Sequence, residues 1–279
     1  MDIGIIGAGK VGCSIGRYLK DHQQPLTGYY SRTMESTEFA AEFTRTSAYE
    51  DLTDIILASD TLMIATPDDQ VREVWDHIAR YDIQDYMICH FSGALSSDVF
   101  QGADKKHAHV CSVHPIYAFS DKNNSYQQLQ NVYFTVEGDD EAVQYFTELF
   151  TGMGNHVIRL DSKAKAMYHA AASLVSNHVL GVLHAGIGLL TECGFSEEEA
   201  YQAFAPLILN NVTAGCKYGM VQSLTGPIER NDIQTVDKHL DVLSGVAFAI
   251  YQSVGSELVA MAKEKHPERD YTGMELRFD

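Results

Sequence analysis

Three glycines near the start of the chain have the spacing of a phosphate-binding turn. The segment Gly7-Ala8-Gly9-Lys10-Val11-Gly12 directly follows a short apolar run and opens an amphipathic stretch that continues to Leu19. In a strand–turn–helix of this kind the first glycine permits the tight turn, the second lets the backbone approach a pyrophosphate, and the third lets helix and strand pack closely. The helix N-terminus also offers unpaired N–H groups to phosphates. We therefore predict a dinucleotide site formed by Gly7, Ala8, Gly9, Lys10, Val11 and Gly12.

The end of the predicted second strand indicates which dinucleotide is bound. Leu26–Tyr30 is followed by Ser31 and Arg32. An NAD-dependent enzyme usually has an acid at this position, which holds the ribose 2′-hydroxyl. Arg32 stands there instead, and a guanidinium can bind a 2′-phosphate through two N–H groups, with Ser31 as a further donor. The pattern predicts NADP(H); a surface arginine without a ligand is the alternative.

Two further strand ends are predicted to lie beside the cofactor. Thr66 and Pro67 follow the fourth strand, and Ser92 and Gly93 follow the fifth. Ligands of such sheets bind beyond the carboxyl ends of the parallel strands. We expect Thr66 and Pro67 on the adenosine or ribose side and Ser92 and Gly93 near the nicotinamide. Alternatively, Pro67 and Gly93 are ordinary turn residues.

A stripe of polar side chains on a long predicted helix is the candidate for the reacting end. At 100° per residue, Lys165, His169, Ser173 and Ser176 fall within about 80° of one another, with Asn177 at the edge. Reduction of a C=O or C=N bond needs a proton donor and a group that holds the developing charge. With the usual lysine pKa of ~10.4, Lys165 would be protonated near neutrality. We predict Lys165, His169 and Asn177 as catalytic residues and Ser173 as a substrate contact; a solvated lysine and a core histidine are the alternative.

Two more residues are candidates for binding the substrate. Arg230, in the segment Thr225-Gly226-Pro227-Ile228-Glu229-Arg230-Asn231-Asp232, could hold a carboxylate, or it could form an ion pair that fixes the start of the next helix. Asp232 fits the N-cap of that helix. His114 is also assigned to the substrate. It lies near His107, His109 and Cys111, but no carboxylate is interleaved among these residues, so no metal site is predicted.

The order of sequence signals predicts two domains. Up to residue 160, strand signals alternate with amphipathic stretches, which is typical of β-α units on a parallel sheet. After that point only helix signals remain. We predict a doubly wound Rossmann domain over residues 1–160 and an all-helical domain over 161–279. The predicted strands are Ile3–Ile6, Leu26–Tyr30, Thr61–Ala65, Tyr86–His90, Val110–Val113, Val132–Val136 and Val157–Ile158, and the predicted later helices are Ala164–Cys193, one from Ser196, Pro206–Gly215 and Ile233–Lys265.

Charge and composition restrict the partners. The net charge of −18 repels nucleic acid and anionic membranes, so neither is expected as a partner. None of the five cysteines forms a CxxC pair, and the N-terminus has no signal-peptide pattern. No apolar run approaches the ~20 residues that are needed to span a bilayer. We expect a soluble, cytoplasmic protein with reduced thiols.

The ordered motifs of the chain resemble one family. Beside the glycine turn and Ser31-Arg32, these motifs are His90-x-Ser92-Gly93-Ala94, His114-Pro115, Tyr168-His169-Ala170-Ala171 with Ser176-Asn177, and Gly226-Pro227-Ile228-Glu229-Arg230-x-Asp232. They resemble the Rossmann-like proteins with a C-terminal DUF2520 domain, labelled NADP- or F420-dependent oxidoreductases. This family is similar to the 6-phosphogluconate dehydrogenase superfamily, with ketopantoate reductase and pyrroline-5-carboxylate reductase.

The resemblance implies a dimer through the helical domain and a catalytic lysine. In the β-hydroxyacid and ketopantoate relatives, that lysine is followed four residues later by asparagine. Lys165 matches the lysine, whereas position 169 is histidine here. The C-terminal motif of the pyrroline-5-carboxylate reductases is absent, which argues against proline synthesis.

Together these features predict an NADPH-dependent reductase of a small anionic substrate, a carboxylate-bearing 2-oxo acid or imine. A ketopantoate-like 2-oxo acid is the most specific substrate expected, and this expectation rests on the resemblance to the ketopantoate reductases alone. Two alternatives stay open. One is a non-catalytic NADP(H)-binding redox sensor or partner protein, and the other is an F420-linked NADP oxidoreductase.

Overall fold

One sheet of eight strands organises the first part of the chain in the computed structural model, which describes residues 1–278. The strands are β1 (Ile3–Ile6), β2 (Leu26–Tyr30), β3 (Ser47–Ala48), β4 (Thr61–Ile64), β5 (Met87–His90), β6 (His109–Pro115), β7 (Tyr133–Gly138) and β8 (His156–Arg159). Their order in the sheet is β3-β2-β1-β4-β5-β6-β7-β8. The predicted α/β class is therefore confirmed, and β1 and β4 meet at the point where the strand order reverses.

Helices connect most of these strands. They are α1 (Lys10–Asp21), α2 (Met34–Thr44), α3 (Leu52–Leu57), α4 (Asp68–Ile78) and α5 (Asp140–Gly152). Between β6 and β7 the chain forms only a short 3₁₀ segment, Ser125–Asn131, and these two strands pair antiparallel. The predicted pattern of β-α units does not hold at this pair, because the connection contains no α-helix that could form a parallel crossover.

The chain divides into two compact units, Met1–Ala172 and residues 173–278, called the sheet unit and the helical unit below. The division falls inside a helical run, which consists of α6 (Lys165–Ser173), a π-helical turn (Leu174–His178) and α7 (Val179–Glu192). The single regular helix predicted here is interrupted by this turn. Because a π turn holds more residues than an α turn, positions after Ser173 do not keep the 100° spacing used for Asn177.

The helical unit continues with α8 (Glu197–Tyr218), α9 (Met220–Ser223), α10 (Ile233–Val242), α11 (Gly245–Lys265) and α12 (Thr272–Glu275). The predicted start of α8 is confirmed, since Ser196 and Glu199 form a reciprocal capping box. Asp232 caps α10 by accepting from the Thr235 N–H, also as predicted. The helical unit has a core of its own, which includes Val236, Val259, Met274 and Phe278, so the C-terminal segment packs into this unit.

Two predictions of helix ends are wrong. Pro206 does not begin a new helix but lies inside α8, where the helix continues without the hydrogen bond that a proline cannot donate. The predicted helix Ile233–Lys265 is broken between α10 and α11, where Leu243 and Ser244 are extended and Gly245 has a φ of +57°. A serine–glycine pair is a turn signal, and glycine adopts positive φ without steric cost.

Two helical segments are long and apolar enough to cross a membrane by length and composition alone, Ser162–Glu192 and Gly245–Lys265. The expectation that no such run exists is therefore wrong. Few of their side chains are buried within the single chain; Leu174, Val175 and Leu180 are 58%, 78% and 64% exposed.

Candidate active site

The glycine turn after β1 leaves an open cradle at the N-terminus of α1. Gly7 has a φ of +113°, and a Cβ there would lie 2.7 Å from the Ala65 carbonyl. A Cβ on Gly12 would lie 1.9 Å from the Gly7 carbonyl oxygen, whereas a Cβ on Gly9 would meet nothing within 4 Å. Gly9 caps α1 without a side-chain hydrogen bond, and no acid occupies the first turn. The backbone thus packs tightly on two sides and leaves N–H groups facing open space, which fits the pyrophosphate of a dinucleotide.

The other predicted residues of this turn have different exposures. Ala8 is buried, Val11 is half-buried, and the Lys10 side chain is exposed at the start of α1. Lys10 therefore adds a positive charge to the partial positive charge of the helix end. Both favour an anion beside Gly9, in a chain whose net charge is strongly negative.

The end of β2 adjoins the cradle and presents a cation. The Gly7 N–H donates to the Tyr30 carbonyl over 2.8 Å, so the loops after β1 and β2 are tied together. Ser31 is half-buried and Arg32 is exposed. Within residues 1–278 the Arg32 guanidinium forms neither a hydrogen bond nor an ion pair. It is therefore available for a ligand at the position where ribose specificity is read.

The loop after β4 carries an unpartnered polar atom. The Thr66 hydroxyl oxygen is buried and makes no hydrogen bond, although a buried hydroxyl normally has a partner. Pro67 is exposed and caps α4 without a side-chain bond. Together with the cradle, this orphaned hydroxyl fits a bound nicotinamide dinucleotide, with Gly7, Gly9 and Thr66 among the residues that would hold it.

The loop after β5 is fixed by hydrogen bonds through Ser92. Its hydroxyl donates to Asp68 Oδ2 over 2.8 Å and accepts the N–H groups of Ala94 and Leu95 at 3.1 and 3.0 Å. The Ser92 N–H donates to His90 Nδ1, and His90 Nε2 contacts the Ser96 carbonyl. Complete burial lowers the pKa of His90 to about 4, so this imidazole is neutral.

Polar residues replace apolar ones along a single row of the sheet. Ile6 of β1 and Ile64 of β4 are neighbours in this row, and Ile64 is followed by His90 of β5, Ser112 of β6 and Glu137 of β7. All five are buried. Because paired residues point to the same face, the row changes from hydrocarbon to hydrogen-bonding groups between β4 and β5.

Lys165 lies against the polar part of this row. Its side chain is 2% exposed, and Nζ donates to Ser112 Oγ over 2.6 Å. Burial lowers the pKa of Lys165 from 10.5, although Glu137, Cys111 and Asp68 act in the opposite direction. The expectation of an ordinary lysine pKa is therefore wrong, because desolvation disfavours the ammonium. In the described part of the chain, Lys165 forms no direct ion pair.

A histidine–tyrosine pair lies beside this lysine. The hydroxyl of Tyr168, one turn of α6 after Lys165, is 2.6 Å from His114 Nδ1. Burial, followed by the charge of Lys165 and then His169, lowers the pKa of His114 to about 4. Burial also raises the pKa of Tyr168. A Cβ on Gly93 would lie 2.8 Å from His114 Nε2 and 3.0 Å from His169 Cδ2, so Gly93 separates the two imidazoles.

The sheet unit thus brings together part of the predicted set, namely Ser92, Gly93, His114, Lys165 and His169. Ser173, Asn177 and Arg230 belong to the helical unit. Arg230 is exposed, and the ion cluster near the start of α10 is formed by its neighbour Glu229 with His266, Lys265 and Arg269.

Sequence reasoning missed three residues of the candidate site: Ser112, Glu137 and Tyr168. A signal was present for Ser112, since alternation along β6 places it on the same face as His114. By the same alternation, the residues considered as a metal site, His107, His109 and Cys111, are assigned to the opposite face of the strand. Cys111 is buried, its pKa is raised by burial, and no group of three His, Cys, Asp or Glu side chains within residues 1–278 could hold a metal ion.

Comparison with known proteins agrees with the predicted architecture. Residues 1–115 match the Rossmann-like domain family, and residues 132–258 match the domain of unknown function DUF2520. The chain is thus a Rossmann-like protein with a C-terminal DUF2520 domain, as its motifs predicted. No curated protein sequence matches it significantly.

Solved structures show the same fold at low sequence identity. Protein TM1727 from Thermotoga maritima is 21% identical, with a TM-score of 0.77 over 95% of this chain and 99% of that one. An imine reductase from Pseudomonas sp. is 17% identical, with a TM-score of 0.59 over 99% and 91%. The pyrroline carboxylate reductase of Plasmodium falciparum, solved with NADP bound, is 13% identical, with a TM-score of 0.59 over 100% and 98%.

Proposed function

We propose that this protein is an NADPH-dependent reductase of the C=O or C=N bond of a small carboxylate-bearing substrate. One observation carries the proposal: a buried lysine amine lies at the carboxyl end of a sheet whose first strand is followed by a glycine turn that is open at Gly9. The similarity in fold to imine and pyrroline carboxylate reductases supports it. A ketopantoate-like 2-oxo acid is the first substrate to test.

The residues of the chain have separate tasks in this reaction. A bound NADPH would supply the hydride equivalent for the reduction. The Lys165 ammonium donates a proton to the adjoining oxygen or nitrogen, while Ser112 accepts a hydrogen bond from Nζ and so orients it. A buried lysine with a lowered pKa releases its proton more readily than an exposed one, which brings it closer to the pKa that suits a general acid near neutrality.

The remaining predicted residues are proposed to bind substrate. His169 and His114 adjoin Gly93 in the sheet unit. Ser173, Asn177 and Arg230 are proposed as substrate contacts from the sequence alone. Arg230 is the proposed partner of the substrate carboxylate, because its exposed guanidinium has no hydrogen-bond or ion-pair partner within residues 1–278.

The reductase is tested by NADPH oxidation against a panel of 2-oxo acids and cyclic imines. Lys165→Met keeps much of the side-chain volume and removes the amine, and Lys163→Met removes an exposed amine two residues away. We expect Lys165→Met to lower kcat about 10²- to 10⁴-fold, as for loss of a general acid, and Lys163→Met to have no effect. Tight NADPH binding without turnover of any compound would favour the redox sensor, and turnover only with F420 would favour the F420-linked enzyme.

Arg32 is proposed to select NADP(H) over NAD(H). A charge-assisted hydrogen bond contributes about 1.5–3 kcal/mol, or roughly 10- to 100-fold in affinity. Titration of the Arg32→Gln variant should show weaker NADPH binding by this factor and unchanged NADH binding. Arg80→Gln, which removes an exposed arginine at the end of α4, is the matched control. Equal losses for both cofactors would contradict the 2′-phosphate role.

We also propose that the protein is a soluble, cytoplasmic homodimer in which a second copy covers the apolar helices. The net charge opposes adsorption to an anionic membrane, while Leu174, Val175 and Leu180 leave hydrocarbon exposed on the helical run. Light scattering should give a dimer that Leu180→Glu weakens. Leu57→Glu, which changes a leucine 67% exposed on α3, should not. A wild-type monomer would overturn the dimer.

A further inference from the structure

The hydrogen bond between Tyr168 and His114 links the tautomer of the histidine to the direction in which the tyrosine hydroxyl donates. The two atoms are 2.6 Å apart, and the rings meet edge to face with centroids 5.7 Å apart. A phenol is both a donor and an acceptor, whereas a neutral imidazole has one donor and one acceptor nitrogen. If the Tyr168 hydroxyl donates to Nδ1, the imidazole hydrogen must be on Nε2.

The surroundings keep His114 neutral. The ring is largely removed from water, and the groups that face it from the neighbouring helix are Lys165, Tyr168 and His169, of which none is an acid. The residue that pairs with it across the strands is Thr135, which is also uncharged. The histidine therefore has no carboxylate partner that would favour an imidazolium, and the amine of Lys165 opposes one.

The opposite ring nitrogen is free and faces the backbone at Gly93. His114 Nε2 has no hydrogen-bond partner within residues 1–278. It lies so close to Gly93 that a Cβ there would be 2.8 Å from it. Gly93 follows β5 and His114 lies near the end of β6, so this nitrogen lies where ligands of parallel sheets bind.

We propose that Tyr168 is a positioning residue that holds neutral His114 as an Nε2–H donor, and that this N–H donates a hydrogen bond to an oxygen of the substrate above Gly93. The proposal rests on the reductase function and extends it. Lys165 supplies the proton, and His114 supplies a second, uncharged donor that fixes the acceptor oxygen. The substrate class is thereby restricted to compounds with a carbonyl or carboxylate oxygen at this point.

An uncharged donor has a functional consequence that a charged one lacks. Because His114 stays neutral down to about pH 4, the hydrogen bond that it offers does not change across the physiological range. It also adds no second positive charge beside Lys165, whose ammonium is already disfavoured by burial. A histidinium at this position would lower the pKa of the lysine further and remove the proton that the reaction needs.

The tautomer can be measured without any substrate. Long-range ¹H–¹⁵N spectra of the wild-type holoprotein at pH 7 should show His114 with a protonated Nε2 and an unprotonated Nδ1. Tyr168→Phe removes only the hydroxyl and should give a mixture of tautomers. Tyr117→Phe removes another half-buried hydroxyl of the sheet unit, one that makes no hydrogen bond within residues 1–278, and should leave His114 unchanged. A protonated Nδ1 or an imidazolium in the wild type would overturn the proposal.

The donor role is tested with the substrate that the reductase assay identifies. The amide nitrogen of glutamine is as many bonds from Cα as Nε2, and that of asparagine as many as Nδ1. His114→Gln should therefore retain kcat/KM within about tenfold, while His114→Asn should lose about 100-fold, as for one lost oxyanion donor. Tyr168→Phe should lose about tenfold in kcat/KM. Equal activity of the two His114 variants would overturn the donor role.

These results separate the two proposals. A protein that reduces nothing in the panel, but whose His114 has the stated tautomer, would favour the redox sensor over the reductase and retain the pairing of Tyr168 with His114. An active reductase whose His114 tautomer is unaffected by Tyr168→Phe would refute the positioning role alone.

Discussion

The buried imidazole of His90 should make the sheet unit sensitive to acid. His90 is fully buried, accepts the Ser92 N–H at Nδ1 and contacts the Ser96 carbonyl through Nε2. Its pKa falls from 6.5 to about 4 because burial disfavours the charged ring. The unfolded chain binds a proton near pH 6.5, whereas the folded chain does not until about pH 4. Acidification through this window therefore favours the unfolded state.

The size of the effect follows from the pKa values. At pH 5 the solution is 1.5 pH units below the ordinary histidine pKa of 6.5, so His90 is protonated in the unfolded chain. In the folded chain it is still mostly neutral. At 1.36 kcal/mol per unit, His90 should cost about 2 kcal/mol of unfolding free energy between pH 7 and pH 5. Protonation of carboxylates lowers the unfolding free energy further. This contribution is the same in the wild type and the variant, so it cancels when their acid-induced losses are compared.

The assay uses the single tryptophan of the chain. Trp75 is 1% exposed in α4, and its indole N–H donates to the Gln101 carbonyl, so its fluorescence reports on the sheet unit. Urea unfolding at pH 7 and pH 5 gives the acid-induced loss for each variant. The loss for His90→Asn should be smaller than that of the wild type by about 2 kcal/mol, although the variant is less stable at pH 7 because it loses a buried partner.

The control is His107→Asn, which removes an exposed histidine of the same unit. His107 has a φ of +53°, a conformation that asparagine tolerates. This variant should lose as much stability on acidification as the wild type. If His90→Asn also lost as much as the wild type, the buried neutral imidazole would not be a source of acid sensitivity, and the description of the β5 loop would be wrong.

Three further predictions follow from other contacts. Gly12→Ala would place a Cβ 1.9 Å from the Gly7 carbonyl oxygen, so calorimetric titration should show loss of NADPH binding, with roughly 1–3 kcal/mol or more of destabilisation. Lys165→Met should raise the unfolding free energy at pH 7, since it removes a desolvated ammonium. In the active wild type, kcat should fall as the pH rises through the pKa of Lys165, which lies below 10.5, because the proton donor is lost. Ser196→Ala removes the reciprocal cap with Glu199 and should destabilise α8 by ~1 kcal/mol, measured by circular dichroism during unfolding.

The cofactor cradle could be predicted because its determinants are local. Gly7, Gly9 and Gly12 act within one strand–turn–helix, and Gly7 and Gly12 are each constrained by contacts that only glycine allows. Ser196 and Asp232 were predictable as helix caps for the same reason, since a cap depends on residues two or three positions away. In each case the sequence pattern contains the interaction itself.

The reacting end could be predicted only in part, because its contacts join distant segments. Lys165 was found by its type and place on a helix, but its partner Ser112 is 53 residues away. Glu137 faces Ser112 only because β6 and β7 are antiparallel, and the sequence pattern did not predict that pairing. Burial, which decides the pKa of Lys165, depends on the packing of the whole unit.

The desolvation that we propose as the source of this site's chemistry also reduces the stability of the sheet unit. In the row that runs from Ile64 to Glu137, hydrocarbon would stabilise the fold, yet the chain places His90 and Ser112 there and packs Lys165 against them. Polar groups are kept in such a position only when they are hydrogen-bonded, and Lys165 has one hydrogen bond and no direct ion pair within residues 1–278. A carboxylate beside Nζ would stabilise the ammonium and raise its pKa, which would make it a weaker acid. Glu137 favours the charge of Lys165 without forming a direct ion pair with it, and we expect this arrangement to leave the Nζ proton available for transfer.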